Sequence, residues 1–563
     1  MDYLKQTIAL MMLGLGTMAS PCIVMAADID VRILIDVSGS MKANDPQNLR
    51  IPAVRLVAEL MPQGSTAGIW NFSENVDQIL APSKVDVKWK AAAKEAVNSI
   101  HSRGQLTDIE AALKAATRDW DAAGSSTLER HVILLTDGMI DVSKQATANT
   151  ASRERILGNE LARLKVSGAQ VHTISLSENS DRELMTVLAE NTDGWSEQID
   201  DAASLQRIFL HIFEQVASPD SIPLMDNQFE VDKSISEMTL LVFHEQGAEP
   251  LELVNPDGEK LQFDSHPANV HWRAESGYEL VTVSDPVQGN WRINTDPDPD
   301  NRVLIVTDIK LELDTLPTNM MTNEAVILNA LITERGQPLK REDFLNLLQA
   351  ELVVSGSDVD APITFPVPFD PQQLRFTIEH VIDWPPGDYE FVVRIDGGTF
   401  QRERRSKVRI HETPIMFSSV LAEDGLATNI FILADKELVD LESLMGLLVV
   451  TKPDGANEAF DLPVFSSGET FLTIAMPVNG TYKIEPWVLG RSTSGRKLNV
   501  KTKPLLTEVT LGIDVIESAA TIDWLYIGVI VLIGNIVIGL LLGGLWFWLG
   551  RRRSIPLNKV VLT

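Results

Sequence analysis

Two rhythms of apolar residues alternate through the first third of the chain. Val31 to Val37 is apolar except at Arg32 and Asp36, the pattern of a strand buried on both faces. Gln47 to Met61 then places Leu49, Val54, Leu56, Val57 and Leu60 at helical spacing. The same reading gives strands over Ala67–Phe72, Val132–Leu135 and Val171–Leu176. Helices are predicted over Lys88–Ile100, Asp108–Ala123, Arg153–Val166, Asp181–Glu190 and Ala202–Val216. Strands and helices alternating at this spacing predict a parallel sheet covered on both faces, a doubly wound, Rossmann-like α/β domain over residues 28–219.

After Pro219 the helical period fades, and short alternating strands take over between turns rich in Pro, Gly, Asp and Asn. One pattern recurs: Pro286-Val-Gln-Gly289-Asn-Trp291, Trp384-Pro-Pro-Gly387-Asp-Tyr389 and Pro477-Val-Asn-Gly480-Thr-Tyr482. The aromatic positions lie 98 and then 93 residues apart. Upstream, Asn255-Pro-Asp-Gly258 matches Lys452-Pro-Asp-Gly455, with Ser355-Gly356 at the corresponding place in the middle unit. Repeats of this length, all strand and turn, predict three immunoglobulin-like β-sandwiches over 220–308, 309–412 and 413–515. In each, the glycine permits a tight turn and the aromatic closes one edge of a core. Leu339 to Glu351 reads as a helical insertion in the second.

The ends carry different signals. Residues 1–27 have a short apolar core, Ile8 to Ala19, and small residues at Ala26 and Ala27, as in a cleaved secretory leader; an uncleaved anchor is the alternative. Trp524 to Leu549 is 26 residues without a charge, long enough to span a bilayer, with aromatic residues at both ends. Arg551, Arg552 and Arg553 follow and place the tail, 550–563, in the cytoplasm. Gly539 and Gly543 form one G-x-x-x-G, a sparse hint of a dimerising helix face; the oligomeric state stays open. The expected layout is a single-pass protein of a bacterial inner membrane with its bulk in the periplasm.

Composition narrows the classes further. A formal net charge of −30 disfavours nucleic acid and anionic lipid as partners of the bulk. Cys22 is the only cysteine and lies in the leader, so cleavage would leave no thiol for a disulfide or a metal. No His-Glu-x-x-His, no Gly-Lys-Ser/Thr phosphate loop and no Gly-x-Ser-x-Gly elbow occurs. His244-Glu245 lacks a second histidine. Asp296-Pro-Asp-Pro-Asp-Asn301 offers carboxylates for calcium, or is simply a solvated turn.

The candidate chemistry gathers where strands end. "ILIDVSGSM" sets Asp36, Ser38 and Ser40 just past the first strand. "LLTDG" ends another strand in Asp137, and "GQLTDIEAAL" puts Thr107 in a loop before a helix. Ligands of open α/β sheets bind at this rim. Two carboxylates and three hydroxyls, with no imidazole or thiolate, suit a hard cation. Magnesium fits best, with manganese or calcium as alternatives, and an incoming carboxylate could fill an open position. Asp108 and Glu110, beside Thr107, read as acids favoured at a helix N-terminus.

Asp-x-Ser-x-Ser, a later threonine and Thr-Asp-Gly, in this order and on these elements, resemble the von Willebrand factor A (VWA) domain over residues 28–219. The resemblance implies a metal-ion-dependent adhesion site, the MIDAS, at Asp36, Ser38, Ser40, Thr107 and Asp137. It implies that Ser38, Ser40 and Thr107 touch the metal and that Asp36 and Asp137 act through water. The layout is also similar to membrane-anchored VWA proteins of Gram-negative bacteria. The function this implies is not enzymatic: a binding or scaffold protein that captures an Asp or Glu of a protein partner through the metal, with the sandwiches as a stalk. A structural or mechanosensing protein, with partner contacts on the sandwiches and the VWA domain as a switch, is the alternative. A metal-dependent hydrolase is disfavoured because no base or nucleophile stands beside the site.

Overall fold

A computed structural model describes residues 28–510 except 121–127, 179, 246–247, 341–344, 346, 357–358, 360, 424, 464 and 466. The expected leader, membrane span and tail (1–27, 524–549 and 550–563) lie outside the described residues.

The N-terminal domain is built on six strands: β1 (Asp28–Asp36), β2 (Thr66–Phe72), β3 (Val76–Lys84), β4 (Leu128–Thr136), β5 (Ala169–Ser175) and β6 (Ser196–Gln198). Their order in the sheet is β3-β2-β1-β4-β5-β6. β1 pairs in parallel with both β2 and β4, so the winding direction reverses between β1 and β4. The α/β reading holds, with one correction: β3 is antiparallel to β2 and closes the edge. Its side chains are mostly exposed or half-buried, so it lacks the continuous apolar run that marks its neighbours.

Eight α-helices follow in chain order among the described residues: α1 (Met41–Asn44), α2 (Arg50–Leu60), α3 (Val87–Ala96), α4 (Ile109–Ala116), α5 (Ala146–Arg155), α6 (Leu161–Val166), α7 (Arg182–Glu190) and α8 (Leu205–Ala217). A π-turn, Ile156–Glu160, joins α5 to α6. Two cores flank the sheet. Ile33, Ile35, Ile69, Ile133 and Leu135 pack with α2, α3 and α8 on one side. Leu34, Trp70, Val132 and Leu134 pack with α4, α6 and α7 on the other. Each such buried aliphatic side chain stabilises the fold by roughly 1.5–3 kcal/mol.

The remainder is β-sheet. The described chain divides into two compact units. The first comprises the described residues through Ile415, with Ala434–Leu444 and Val488–Lys501. The second comprises Met416–Leu433, Met445–Trp487 and the described residues from Thr502.

In the first unit, a four-stranded sheet contributes Phe229, Val231, Leu253, Trp291 and Ile293 to a core shared with Met238, Leu240, Val281 and Val303 of the facing sheet. That facing sheet does not stop at the expected module boundary. Ser221–Ile222 pairs with Arg302–Thr307 on one side and with Gln401–His411 on the other, giving one ten-stranded sheet. The VWA-like domain and the first two β regions share one compact unit. Of the helix expected over Leu339–Glu351, residues 341–344 and 346 lie outside the described residues; its last three residues open a strand instead, Gln349–Gly356, with Ala350, Leu352 and Val354 buried at a period of two.

The repeated turns do what their residues imply. Trp291, Tyr389 and Tyr482 are all buried. Each returns to the residue four positions back: Trp291 Nε1 donates to the Val287 carbonyl at 2.8 Å, Tyr389 Oη to that of Pro385 at 2.8 Å, and Tyr482 Oη accepts from the Val478 amide at 3.1 Å. Gly289 and Gly480 both have φ of 130°, and a Cβ there would lie 3.0 and 2.7 Å from Pro256 and Pro453. Those prolines belong to the two Pro-Asp-Gly turns, so each turn packs on its own repeat's glycine. In the middle unit a Cβ at Gly356 would lie 2.6 Å from the Tyr389 ring.

In the second unit, Ala427–Ala434 pairs with Glu469–Ala475, Met445–Thr451 with Asn457–Asp461, and Gly480 to Ile484 with Leu505 to Val509, all antiparallel.

Candidate metal centre

The rim at the C-terminal ends of β1 and β4, where the winding reverses, gathers the five residues singled out in the sequence. Asp36 is the last residue of β1 and fully buried. Its Oδ1 accepts from the Ser38 amide at 2.8 Å and its Oδ2 from Thr136 Oγ1 at 2.5 Å. Asp137 follows β4 directly. Its Oδ1 accepts from Ser40 Oγ at 2.8 Å, its Oδ2 from Asn44 Nδ2 at 2.8 Å, and Ser40 Oγ lies 3.0 Å from Ser38 Oγ. Thr107 is brought in by its loop. A Cβ placed on Gly138 would lie 3.6 Å from Thr107 Oγ1 and 3.9 Å from Ser40 Oγ, so both hydroxyls flank that glycine.

The loops are held by main-chain bonds. The amides of Arg103 and Gly104 both donate to the Val37 carbonyl, at 3.1 and 2.9 Å. Thr107 exchanges two bonds with Asp141, and the Asp108 amide donates to the Ser73 carbonyl. Gly104 is required here, because a Cβ would fall 2.3 Å from Ser73 Cβ. Asp108 caps α4 through the Ala111 amide at 2.9 Å, the role its position predicts. Glu110 is held by Arg155, Lys114 and Ser152, which keep its carboxyl down at about 2.

Four supporting residues escaped the sequence reading. Arg50, fully buried, donates to Asp45 Oδ2 at 2.7 Å, the Asp36 carbonyl at 2.6 Å, Asn48 at 2.7 Å and Ser102 Oγ at 2.7 Å. Asp45, also buried, accepts from the Leu49 amide at 2.7 Å. Asn44 and Thr136 orient the two rim carboxylates. Thr136 lay within the quoted "LLTDG", and a buried arginine on an apolar helix face was the available sign of Arg50.

The donor set fits a hard divalent cation. It holds two carboxylates and three hydroxyls, and Arg50 meets the Asp36 backbone and not its carboxylate. Burial pushes the Asp36 carboxyl up to about 6, against the pull of Thr136 and Ser38, and the nearby Asp137 carboxylate adds to the rise. A cation at the rim would relieve that uncompensated charge. Among the described residues no cluster of three or more His, Cys, Asp or Glu could hold a metal. The Asp296 to Asn301 loop is excluded as a calcium site on its own geometry. Asp298 and Asp300 are taken by Arg207 at 2.7 Å each, and Asp300 also by His211 at 2.9 Å.

This fold and rim define a class. Residues 30–211 match the model of the von Willebrand factor type A domain, and the chain carries that domain. Among solved structures, a von Willebrand factor type A protein from Catenulispora acidiphila is 18% identical, with a TM-score of 0.29, over 55% of this chain and 63% of that one. Proximal thread matrix protein 1 of the mussel byssus, with a zinc-occupied MIDAS motif, is 17% identical, with a TM-score of 0.27, over 35% of this chain and 50% of that one. BatB of Bacteroides thetaiotaomicron is 22% identical, with a TM-score of 0.24, over 34% of this chain and 98% of that one. The chain thus spans less than two thirds of the first two. No curated protein matches it.

Proposed function

We propose that the VWA domain binds a protein partner through a divalent metal, magnesium being the best fit, held by Asp36, Ser38, Ser40, Thr107 and Asp137. The observation that carries this reading is the rim itself: two carboxylates and three hydroxyls converge where the sheet reverses. Such a set neutralises a +2 ion but leaves it short of the six oxygens magnesium prefers. A carboxylate from the partner would complete it. No base or nucleophile is needed for that task, so the role is binding and not catalysis. We further propose that residues 1–27 direct export, that 524–549 anchor the chain in a bacterial inner membrane with its bulk in the periplasm, and that the β regions are immunoglobulin-like.

A specific observation favours a second reading, in which the β regions carry partner contacts and the VWA domain is regulatory. α8 is bound along its length to the β region that follows, so a movement of that helix would be felt there directly.

The test uses the full chain in detergent. Calorimetric titration with magnesium should show one site, lost in Asp36→Ala and Asp137→Ala. Partners captured from envelope extract should be released by EDTA and absent with Asp36→Ala. Partners that stay bound in all arms would overturn the metal bridge and support the second reading.

A further inference from the structure

The second unit presents an apolar sheet face that no function above uses. Ile415–Leu421, Ala427–Ala434 and Glu469–Ala475 form a three-stranded sheet. One set of alternating residues, including Ile430, Ile432 and Ile474, is buried. The opposite set should be polar if it faced only water. Instead Phe471 is 60% exposed, Met416 57%, Val420 55%, Phe431 44% and Leu433 42%. Phe431 and Phe471 are direct cross-strand partners with ring centroids 6.1 Å apart. Beside them Thr473 Oγ1 donates to Asn429 Oδ1 at 2.7 Å.

We infer that this face is a self-association surface, on which a second copy of the chain stacks sheet against sheet around the Phe431–Phe471 pair. Three observations choose this occupant. The first is charge. The three strands contain no Lys or Arg, and Glu469 is the one acid on the outward set, in a chain whose net charge is −30. A surface that docks on anionic lipid carries basic residues around its apolar side chains, and this one has none. A neutral patch is also where two acidic copies repel each other least.

The second is area. Taking about 150–250 Å² for a large side chain, the exposed fractions of the five come to roughly 400–650 Å² per copy. Two copies would bury about 1,000 Å², the lower limit for a specific interface. The third is where the chain goes. Strand Leu505–Val509 belongs to this unit, and the uncharged run Trp524–Leu549 begins 15 residues after Val509. Fifteen residues reach at most about 50 Å. Two copies anchored in one bilayer would thus present this face at similar height and in parallel orientation, as a two-fold axis along the membrane normal requires. This third argument rests on the proposed anchor; the first two do not.

The test again uses the full chain in mild detergent, with mass from analytical ultracentrifugation. The wild type should be a dimer. Phe431→Asp with Phe471→Asp should raise its dissociation constant at least about a hundredfold, with an unchanged melting curve. Gly539→Leu with Gly543→Leu should leave the dimer intact, which separates this face from association through the expected span. Thr473→Cys in a Cys22→Ser background should cross-link to itself in native membranes on mild oxidation. A monomeric wild type together with a Thr473→Cys variant that does not cross-link would overturn the inference. So would a dimer that survives the aspartates, or aspartates that abolish only binding to phosphatidylglycerol vesicles. None of these readouts depends on magnesium, so the rim reading can fail or hold independently.

Discussion

Two apolar surfaces of this chain are treated in opposite ways. The flank of the VWA domain formed by α2 and α8 is covered. Val54, Val57, Leu205, Phe209 and Phe213 share one core with Leu241, Phe243, Tyr278 and Leu280 of the following β region. Charge pairs ring that core: Arg55 with Glu275 at 2.7 Å, Glu59 with Arg273, Arg207 with Asp298 and Asp300, and Glu214 with Arg302 at 2.6 Å. The outward sheet of the second unit has Phe431, Leu433 and Phe471 in place of such cover. At that flank the chain hides apolar surface and seals it with ion pairs. An apolar face left without that treatment is therefore a departure from the chain's own practice, and it calls for an occupant.

The covered flank should break hardest. Glu214 and Arg302 are both buried, so Glu214→Ala removes the one carboxylate in direct contact with that guanidinium and leaves it the Pro299 and Asn301 carbonyls, with Asp300 and Glu390 at 3.9 and 3.8 Å. The expected cost is about 3–5 kcal/mol in denaturant unfolding of the first unit. Replacing both residues by apolar ones of similar volume should cost less than either single change. A single mutant within about 0.5 kcal/mol of wild type would mean that the seam is open to solvent and the comparison fails.

The metal rim gives the next effect. Arg50→Met removes the brace beneath the Asp36 carbonyl while leaving all five candidate ligands in place. Support of this kind is typically worth 10- to 100-fold in metal affinity. Magnesium titration should show a loss of that order, and an unchanged affinity would demote Arg50 to a purely structural residue.

Much of this arrangement was legible in the sequence, for identifiable reasons. Residues at strand ends and in tight turns carry their chemistry in the local pattern. Asp36, Ser38, Ser40 and Asp137 stand together because they lie at or just past the ends of strands whose period could be read, and Thr107 joins them from the loop that leads into a readable helix. Trp291, Tyr389 and Tyr482 are buried because Gly and Pro fix the turns before them. What stayed hidden depends on distant partners. Strand β3 has no continuous apolar run, and only its neighbour makes it a strand. Asp298 and Asp300 resembled a calcium loop until α8 brought Arg207 and His211 against them. The ten-stranded sheet depends on Ser221–Ile222, two residues that no periodicity could announce.

The same seam predicts a pH dependence. Burial alone would raise Glu214 and Asp300. Arg302 holds Glu214 below its ordinary value, while His211 and Arg207 do the same for Asp300. Carboxylates depressed in the folded state contribute fully above their unfolded values of about 4. That contribution shrinks as the pH falls below about 4 and is lost on passing through the folded values. Melting temperature should therefore be flat from neutral pH to about 5 and fall below it. Glu214→Gln should melt lower at neutral pH and show a shallower acid limb. An acid limb equal to the wild type's would place the titrating groups elsewhere.

The smallest expected effect is the most telling for the comparison. Phe471 and Tyr482 are both aromatic strand residues of the second unit, separated only by burial: 60% exposed against 0%. Tyr482→Ala should cost about 3–5 kcal/mol, the range for emptying a core of an aromatic ring. Phe471→Ser should change monomer stability by no more than about 0.5 kcal/mol, because water already reaches the ring. A residue that folding does not need, on a β-sheet that would be more soluble without it, has its use outside the fold. If Phe471→Ser instead destabilised the monomer by several kcal/mol, the ring would be part of that unit's own core, and the two surfaces would differ only in degree.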